Sequence, residues 1–135
     1  MTFRLTSPAF KEGEFIPKPH TCDGKNFSPA LTWEGAPRAT QSFVLVMEDP
    51  DAPLGNWVHW ILYNLPPVIN NLPEGFPAIE TLANSEMHGT NSFQNLGYGG
   101  PCPPSGIHRY HLRLYALEWA CTARTGLTRT TARTS

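Results

Sequence analysis

Four side chains in this sequence are placed for acid–base or anion chemistry: Asp49, Asp51, His59 and His108. The aspartates belong to Asp49-Pro50-Asp51-Ala52-Pro53, where prolines restrict the backbone around Asp51 and hold both carboxylates in place. Two carboxylates this close repel one another unless a cation or a hydrogen-bond donor meets them. Histidine suits that role: a carboxylate that accepts one ring N–H fixes the tautomer and leaves the other nitrogen aimed elsewhere. His59 stands in Trp57-Val58-His59-Trp60. His108 closes the run Gly100-Pro101-Cys102-Pro103-Pro104-Ser105-Gly106-Ile107-His108-Arg109-Tyr110. Were an anion to bind among them, the histidines could donate to it while the aspartates orient and charge the rings. Gly99, Gly100 and Gly106 would let backbone N–H groups approach the same ligand. The same four groups could also serve as an acid–base pair or as Zn or Mn ligands. No serine or cysteine is clearly paired with the base by sequence, although Cys102 falls within the loop, so no catalytic residue or cofactor is expected. His20, His88 and His111 are read as structural.

The elements that must position these groups are strands. Residues 42–47 (SFVLVM) form a compact apolar run and read as a buried central strand that ends at Asp49. Trp57–Leu65 (WVHWILYNL) is strand-like too. Strict alternation would set His59, Ile61, Tyr63 and Leu65 on one face and Val58, Trp60 and Leu62 on the other. Residues 108–117 alternate as well, with Tyr110, Leu112, Leu114 and Ala116 opposite His111, Arg113 and Tyr115. The first forty residues are cut by Pro and Gly into short strands and turns, and residues 70–106 read as mostly irregular. The expected architecture is an all-β sandwich of two mixed or antiparallel sheets.

With 135 residues the chain fits one domain, and 14 prolines with 11 glycines argue against long helices. A net charge of −1 supplies no basic field for nucleic acid or an anionic membrane. No segment approaches a membrane span or the apolar run of a signal peptide, so a soluble, cytoplasmic protein is expected. Cys22, Cys102 and Cys121 lack metal-type spacing and are expected to be free thiols. A Cys22–Cys102 bridge is possible, though unusual in a reducing compartment.

The chain resembles the phosphatidylethanolamine-binding protein family, in its bacterial Raf-kinase-inhibitor-like branch. The resemblance runs from about Phe3 to Glu118. It rests on Thr21-Cys22-Asp23-Gly24, Ser28-Pro29-Ala30-Leu31-Thr32-Trp33, Tyr63-Asn64-Leu65-Pro66 and, above all, the Asp-Pro-Asp-Ala-Pro and Gly-Ile-His-Arg-Tyr blocks in this order. It implies a β-sandwich with a shallow pocket that binds phosphate-type anions, such as phospholipid head groups or phosphorylated partners. Carried over by position, the pocket wall would be Asp49, Asp51, His59, Pro103, Pro104, His108 and Tyr110, flanked by Trp57. The implied role is non-catalytic binding, with a kinase or protease as candidate target and a homodimer as candidate assembly.

After Trp119 the resemblance stops. The family continues with a helix and an apolar closing segment, whereas residues 121–135 carry six Thr, three Arg and no acid. The expected organisation is a domain over residues 1–119 and an atypical disordered tail over 120–135. A frameshift or truncation would explain the change. Without the helix, the domain is expected to be destabilised and to expose an apolar patch.

Overall fold

The computed structural model describes residues 3–53, 55–77, 86–102 and 108–119. Pro103, Pro104, Gly106, Cys121 and the whole of 120–135 lie outside the described residues, so the expectations for them are not addressed by it.

Among the described residues seven strands follow one another: β1 (Arg4–Thr6), β2 (Leu31–Glu34), β3 (Ser42–Asp49), β4 (Trp57–Leu65), β5 (Asn71–Leu72), β6 (Met87–His88) and β7 (His111–Leu117). They form a three-stranded sheet in the order β1-β2-β5 and a four-stranded sheet in the order β6-β4-β3-β7. Every pairing is antiparallel, so of the mixed and antiparallel alternatives the second is the one built. The helical content of the described residues is a 3₁₀ turn at Lys18–His20.

The core lies between the sheets. Phe43, Leu45 and Met47 of β3, Trp60 and Leu62 of β4, and Leu112, Leu114 and Ala116 of β7 meet Leu31 and Trp33 of β2 and Leu72 of β5. Alternation explains which side chains point inward on β2 and β7, where buried and more exposed residues take turns. Trp33 packs edge-on against Phe43 with ring centroids 5.5 Å apart, in the arrangement aromatic quadrupoles favour. Each fully buried large apolar side chain adds about 1.5–3 kcal/mol of burial free energy, which makes β3, flanked on both sides, the anchor of the fold.

β4 does not keep the strict alternation expected of it. Against β3 its register slips twice, between Phe43 and Leu45 and between Met47 and Glu48. At the first slip three steps of β4 face two of β3, and Asn64 takes a left-handed backbone with φ +59°. Leu65 is thereby turned into the core beside Trp60 and Leu62 instead of sharing a face with His59. At the second slip Met47 pairs with Trp60 and Glu48 with Val58, so His59 is the extra residue. A bulge of this kind re-aims a side chain. Here His59 and Trp60, neighbours in sequence, are both buried.

The thiol expectation is also corrected. Cys22 and Cys102 form a disulfide with Cα atoms 5.4 Å apart. The loops that carry them run side by side, with the Cys22 N–H donating to the Pro101 carbonyl at 3.1 Å. That brings the two Cα atoms into the range a disulfide spans. Among the described residues, no helix is long and apolar enough to cross a membrane.

Candidate functional site

The end of β3 and the bulge of β4 form the floor of a pocket of about 210 Å³, lined by Asp49, Ala52, Pro53, Trp57, His59, Phe93, Cys102, His108 and Tyr110. The register explains why distant residues meet here. β7 opens with His111 opposite Glu48, so the chain just before it, His108 to Tyr110, runs past Asp49 and Asp51.

Asp49 is buried, at 4% exposure, and both its oxygens are occupied. Oδ1 accepts the N–H of Asp51 at 2.8 Å. Oδ2 accepts the Nδ1–H of His108 at 2.6 Å. This bond sets the His108 tautomer and leaves Nε2 as its remaining polar atom.

Asp51 does something other than what the sequence suggests. It does not line the pocket. Its carboxylate is gripped by Arg109: Nε donates to Oδ2 at 2.9 Å and Nη2 to Oδ1 at 2.8 Å. The Arg109 backbone N–H adds a third bond to Oδ2 at 2.8 Å. These bonds, the guanidinium first, hold the Asp51 carboxyl well below the usual carboxylate range. The repulsion between the aspartates is thus relieved by giving each its own cationic or donating partner.

His59 is 3% exposed. Its Nδ1–H donates to the Gly99 carbonyl at 2.5 Å, and the Gly99 N–H returns a bond to the His59 carbonyl at 2.9 Å. Burial pushes its pKa down, so the ring is neutral near pH 7 and its Nε2 is an acceptor. The nearby Asp49 favours the charged ring but burial outweighs it, contrary to the arrangement expected from sequence. The Gly99 and Gly100 amides do not serve a ligand either: Gly99 bonds His59, and Gly100 donates to Asn26 Oδ1 at 2.8 Å.

Tyr110 stacks along His108 at 6.4 Å and meets His59 edge-on at 5.4 Å. Its hydroxyl is buried and has no partner among the described residues, and desolvation pushes its pKa up to about 12. It is therefore a neutral donor. Trp57 and Phe93 form an aromatic rim, edge-on at 5.4 Å. Among the described residues, no group of three or more His, Cys, Asp and Glu side chains could hold a metal ion.

Of the residues anticipated from sequence, Asp49, Trp57, His59, His108 and Tyr110 come together, while Asp51 sits beside the pocket. Phe93 and Arg109 were not anticipated. Phe93 comes from an irregular stretch without a motif, and the role of Arg109 depends on the β3–β7 register.

The sequence profile of the phosphatidylethanolamine-binding protein family matches residues 6–134. A UPF0098 protein of Aquifex aeolicus is 49% identical over 114 residues, which is 83% of this chain and 66% of that protein. A UPF0098 protein of Methanothermobacter thermautotrophicus is 46% identical, over 84% of this chain and 76% of its own length. The chain thus spans about two thirds to three quarters of these relatives. A phosphatidylethanolamine-binding protein homologue from Chlamydia trachomatis superposes with a TM-score of 0.81 at 41% identity, over 94% of this chain and 82% of the other. YbcL of Escherichia coli, titled a member of the mammalian phosphatidylethanolamine-binding protein family, gives a TM-score of 0.79 at 35% identity, over 96% and 83%. With its two-sheet sandwich and the histidine–aspartate pocket at the strand ends, this chain belongs to the phosphatidylethanolamine-binding protein family.

Proposed function

We propose that this chain is a non-catalytic binding module for a phosphate-type anion, presented by a phospholipid head group or a phosphorylated partner, through which a kinase or a protease could be regulated. The observation that carries this reading is the buried Tyr110 hydroxyl, which has no partner among the described residues, on a side chain that lines the pocket with the Asp49–His108 pair. An unsatisfied buried donor costs about 1–3 kcal/mol, and an acceptor oxygen from a ligand would recover it.

The complementary groups fit one another. The Tyr110 hydroxyl donates to one phosphate oxygen, and His108, held at Nδ1 by Asp49, turns Nε2 to another. Neutral His59 accepts the hydroxyl proton of a protonated phosphate, or takes up a proton when the anion binds. Asp49 opposes a second negative charge, so a singly charged phosphate is favoured over a dianion. The cavity is smaller than the about 300–1,000 Å³ typical of sites for larger ligands, which suits a head group better than acyl chains. The thiol that lines the pocket, Cys102, is tied up in a disulfide and cannot act as a nucleophile there.

Titration with inorganic phosphate and with phosphoethanolamine, at pH 8 and pH 6, tests this. Affinity should rise towards pH 6, with net proton uptake seen as a buffer-dependent heat. His108→Ala and Tyr110→Phe should each weaken binding about tenfold. Binding that is flat across this range, or unchanged in both variants, refutes the reading.

A further inference from the structure

The disulfide joins residues 80 positions apart, and both of its residues are exposed. Cys102 is at the same time part of the pocket wall. Around the bridge, residues 97–102 are held to residues 20–26 by hydrogen bonds. The Tyr98 hydroxyl donates to the His20 carbonyl at 2.6 Å, the Gly100 N–H to Asn26 Oδ1 at 2.8 Å, and the Cys22 N–H to the Pro101 carbonyl at 3.1 Å. Contact is close enough that a Cβ on Gly100 would collide with the His20 carbonyl and Asn26 Oδ1. Gly100 and Pro101 are buried and Tyr98 packs edge-on against Trp60 at 5.4 Å, but residues 22–26 are all exposed; that side of the seam has little apolar burial behind it, and segments with that character open first.

The other side of the same short segment holds the pocket. Gly99 exchanges two backbone-linked bonds with His59, and its carbonyl fixes the His59 ring. The path from bridge to site is therefore three peptide bonds long, from Cys102 through Pro101 and Gly100 to Gly99.

We propose that the Cys22–Cys102 bridge is a redox-controlled brace of the pocket. Oxidised, it keeps residues 97–102 seated so that Gly99 holds His59 in its anion-receiving orientation; reduced, it releases the segment and weakens anion binding. This rests on the anion-binding reading above. The reductant is a dithiol. Its thiolate attacks one exposed sulfur, the protein S–S bond breaks, and a mixed disulfide forms. The second thiol of the reductant then resolves that intermediate. Two electrons and two protons end on the Cys22 and Cys102 thiols, and the reductant leaves as its own disulfide. An exposed bridge is accessible to such exchange. The same chain would then present a braced pocket in an oxidising compartment and a loosened one in a reducing compartment.

The test uses the full chain in a Cys121→Ser background, so that only this pair can cross-link. Amide hydrogen exchange and inorganic phosphate titration are run on the oxidised protein, the dithiothreitol-reduced protein, and the Cys22→Ser/Cys102→Ser variant. Reduction should speed exchange at Gly99 and Gly100 at least tenfold while the β3 amides stay protected. Phosphate affinity should fall about fivefold, and both effects should reverse on reoxidation. The double variant should match the reduced protein and ignore the dithiol. Unchanged exchange at Gly99 and Gly100, or equal phosphate affinity in both redox states, overturns the inference. Equal loosening of the β3 amides also overturns it, because the bridge would then be a general staple. Phosphate binding by neither form defeats the anion-binding reading and the functional half of the inference together. The exchange arm still decides the brace on its own.

Discussion

Asp49→Asn is the sharpest single perturbation of the pocket, because it keeps the shape of the side chain and removes its charge. Asp49 accepts two bonds, one from the Asp51 N–H and one from His108 Nδ1–H at 2.6 Å. In the variant the amide oxygen can keep the first bond. The amide NH₂ then faces His108 Nδ1, and two donors cannot share that contact. His108 must give up its Nδ1 proton, adopt the opposite tautomer and accept from the amide. A neutral bond then replaces a charge-assisted one at a site where Asp49 is only 4% exposed. Hydrogen bonds to charged groups contribute about 1.5–3 kcal/mol and neutral ones about 0.5–1.5 kcal/mol. The expected loss of stability is therefore ~1–2 kcal/mol. At about 4 °C per kcal/mol for a domain of this length, Tm should fall by about 4–8 °C.

Urea unfolding followed by tryptophan fluorescence measures the first quantity, and ¹⁵N shifts of the His108 ring read the tautomer. Phosphate affinity reads the function. If Asp49 serves the anion by holding the His108 ring and its tautomer, binding weakens about tenfold in the variant, even though a nearby negative charge has been removed. The reasoning fails if the variant is as stable as the wild type and His108 keeps Nδ1–H. Tighter phosphate binding in the variant would falsify the claim that Asp49 helps the anion through His108, because Asp49 would then be acting only as a like charge.

Burial holds the His59 pKa below its ordinary value of 6.5, so the unfolded chain takes up this proton first as pH falls. The His59 contribution is complete above pH 6.5 and is lost as pH falls from there towards the lower folded value. The added slope is at most about 1.4 kcal/mol per pH unit. Denaturant unfolding of wild type and His59→Gln between pH 7.5 and 5 should show the slope flattening in the variant, and parallel curves would contradict the assignment. Leu114→Ala, at a site with 0% exposure in the centre of the core, should cost about 2–5 kcal/mol, measured as a shift in the urea midpoint with an unchanged m-value. Gly100→Ala places a methyl group against the His20 carbonyl and Asn26 Oδ1, so residues 97–102 must move. Phosphate affinity should fall severalfold with little change in core stability, and a variant that binds like the wild type would show that the seam is not tied to the pocket.

How much of this was legible in the sequence depends on how local the cause is. β3 and β4 were visible because each is a long apolar run between turn formers, and their observed bounds begin or end on the aspartate and tryptophan that open the site. β5 and β6 were not, because two residues carry no periodicity. The face of Leu65 was misjudged because a register slip depends on the partner strand and leaves no mark on the strand itself. The histidine–aspartate pairing was anticipated in type but not in detail. His108 pairs with Asp49, whereas Arg109 takes Asp51, and only the β3–β7 register brings Arg109 within reach. The disulfide was one of two open alternatives, and adjacency of the two loops decided it.

The fate of Asp51 bears most directly on what the pocket can hold. An anion site walled by two free aspartates would face a twofold electrostatic objection. The fork from Arg109 removes one of them: Asp51 is turned to a cation outside the pocket and stays ionised there. One carboxylate remains, buried and committed to His108. His59 is kept neutral by the same burial that tightens every electrostatic interaction around it. A pocket with one negative charge, one imidazole tied to it through Nδ1, one neutral acceptor and one hydroxyl without a partner among the described residues is poorly matched to a bare dianion. It is well matched to a phosphate that carries a single charge and brings its own proton or ester carbon. The selectivity proposed for the site therefore follows from how the chain divides two neighbouring aspartates between two partners.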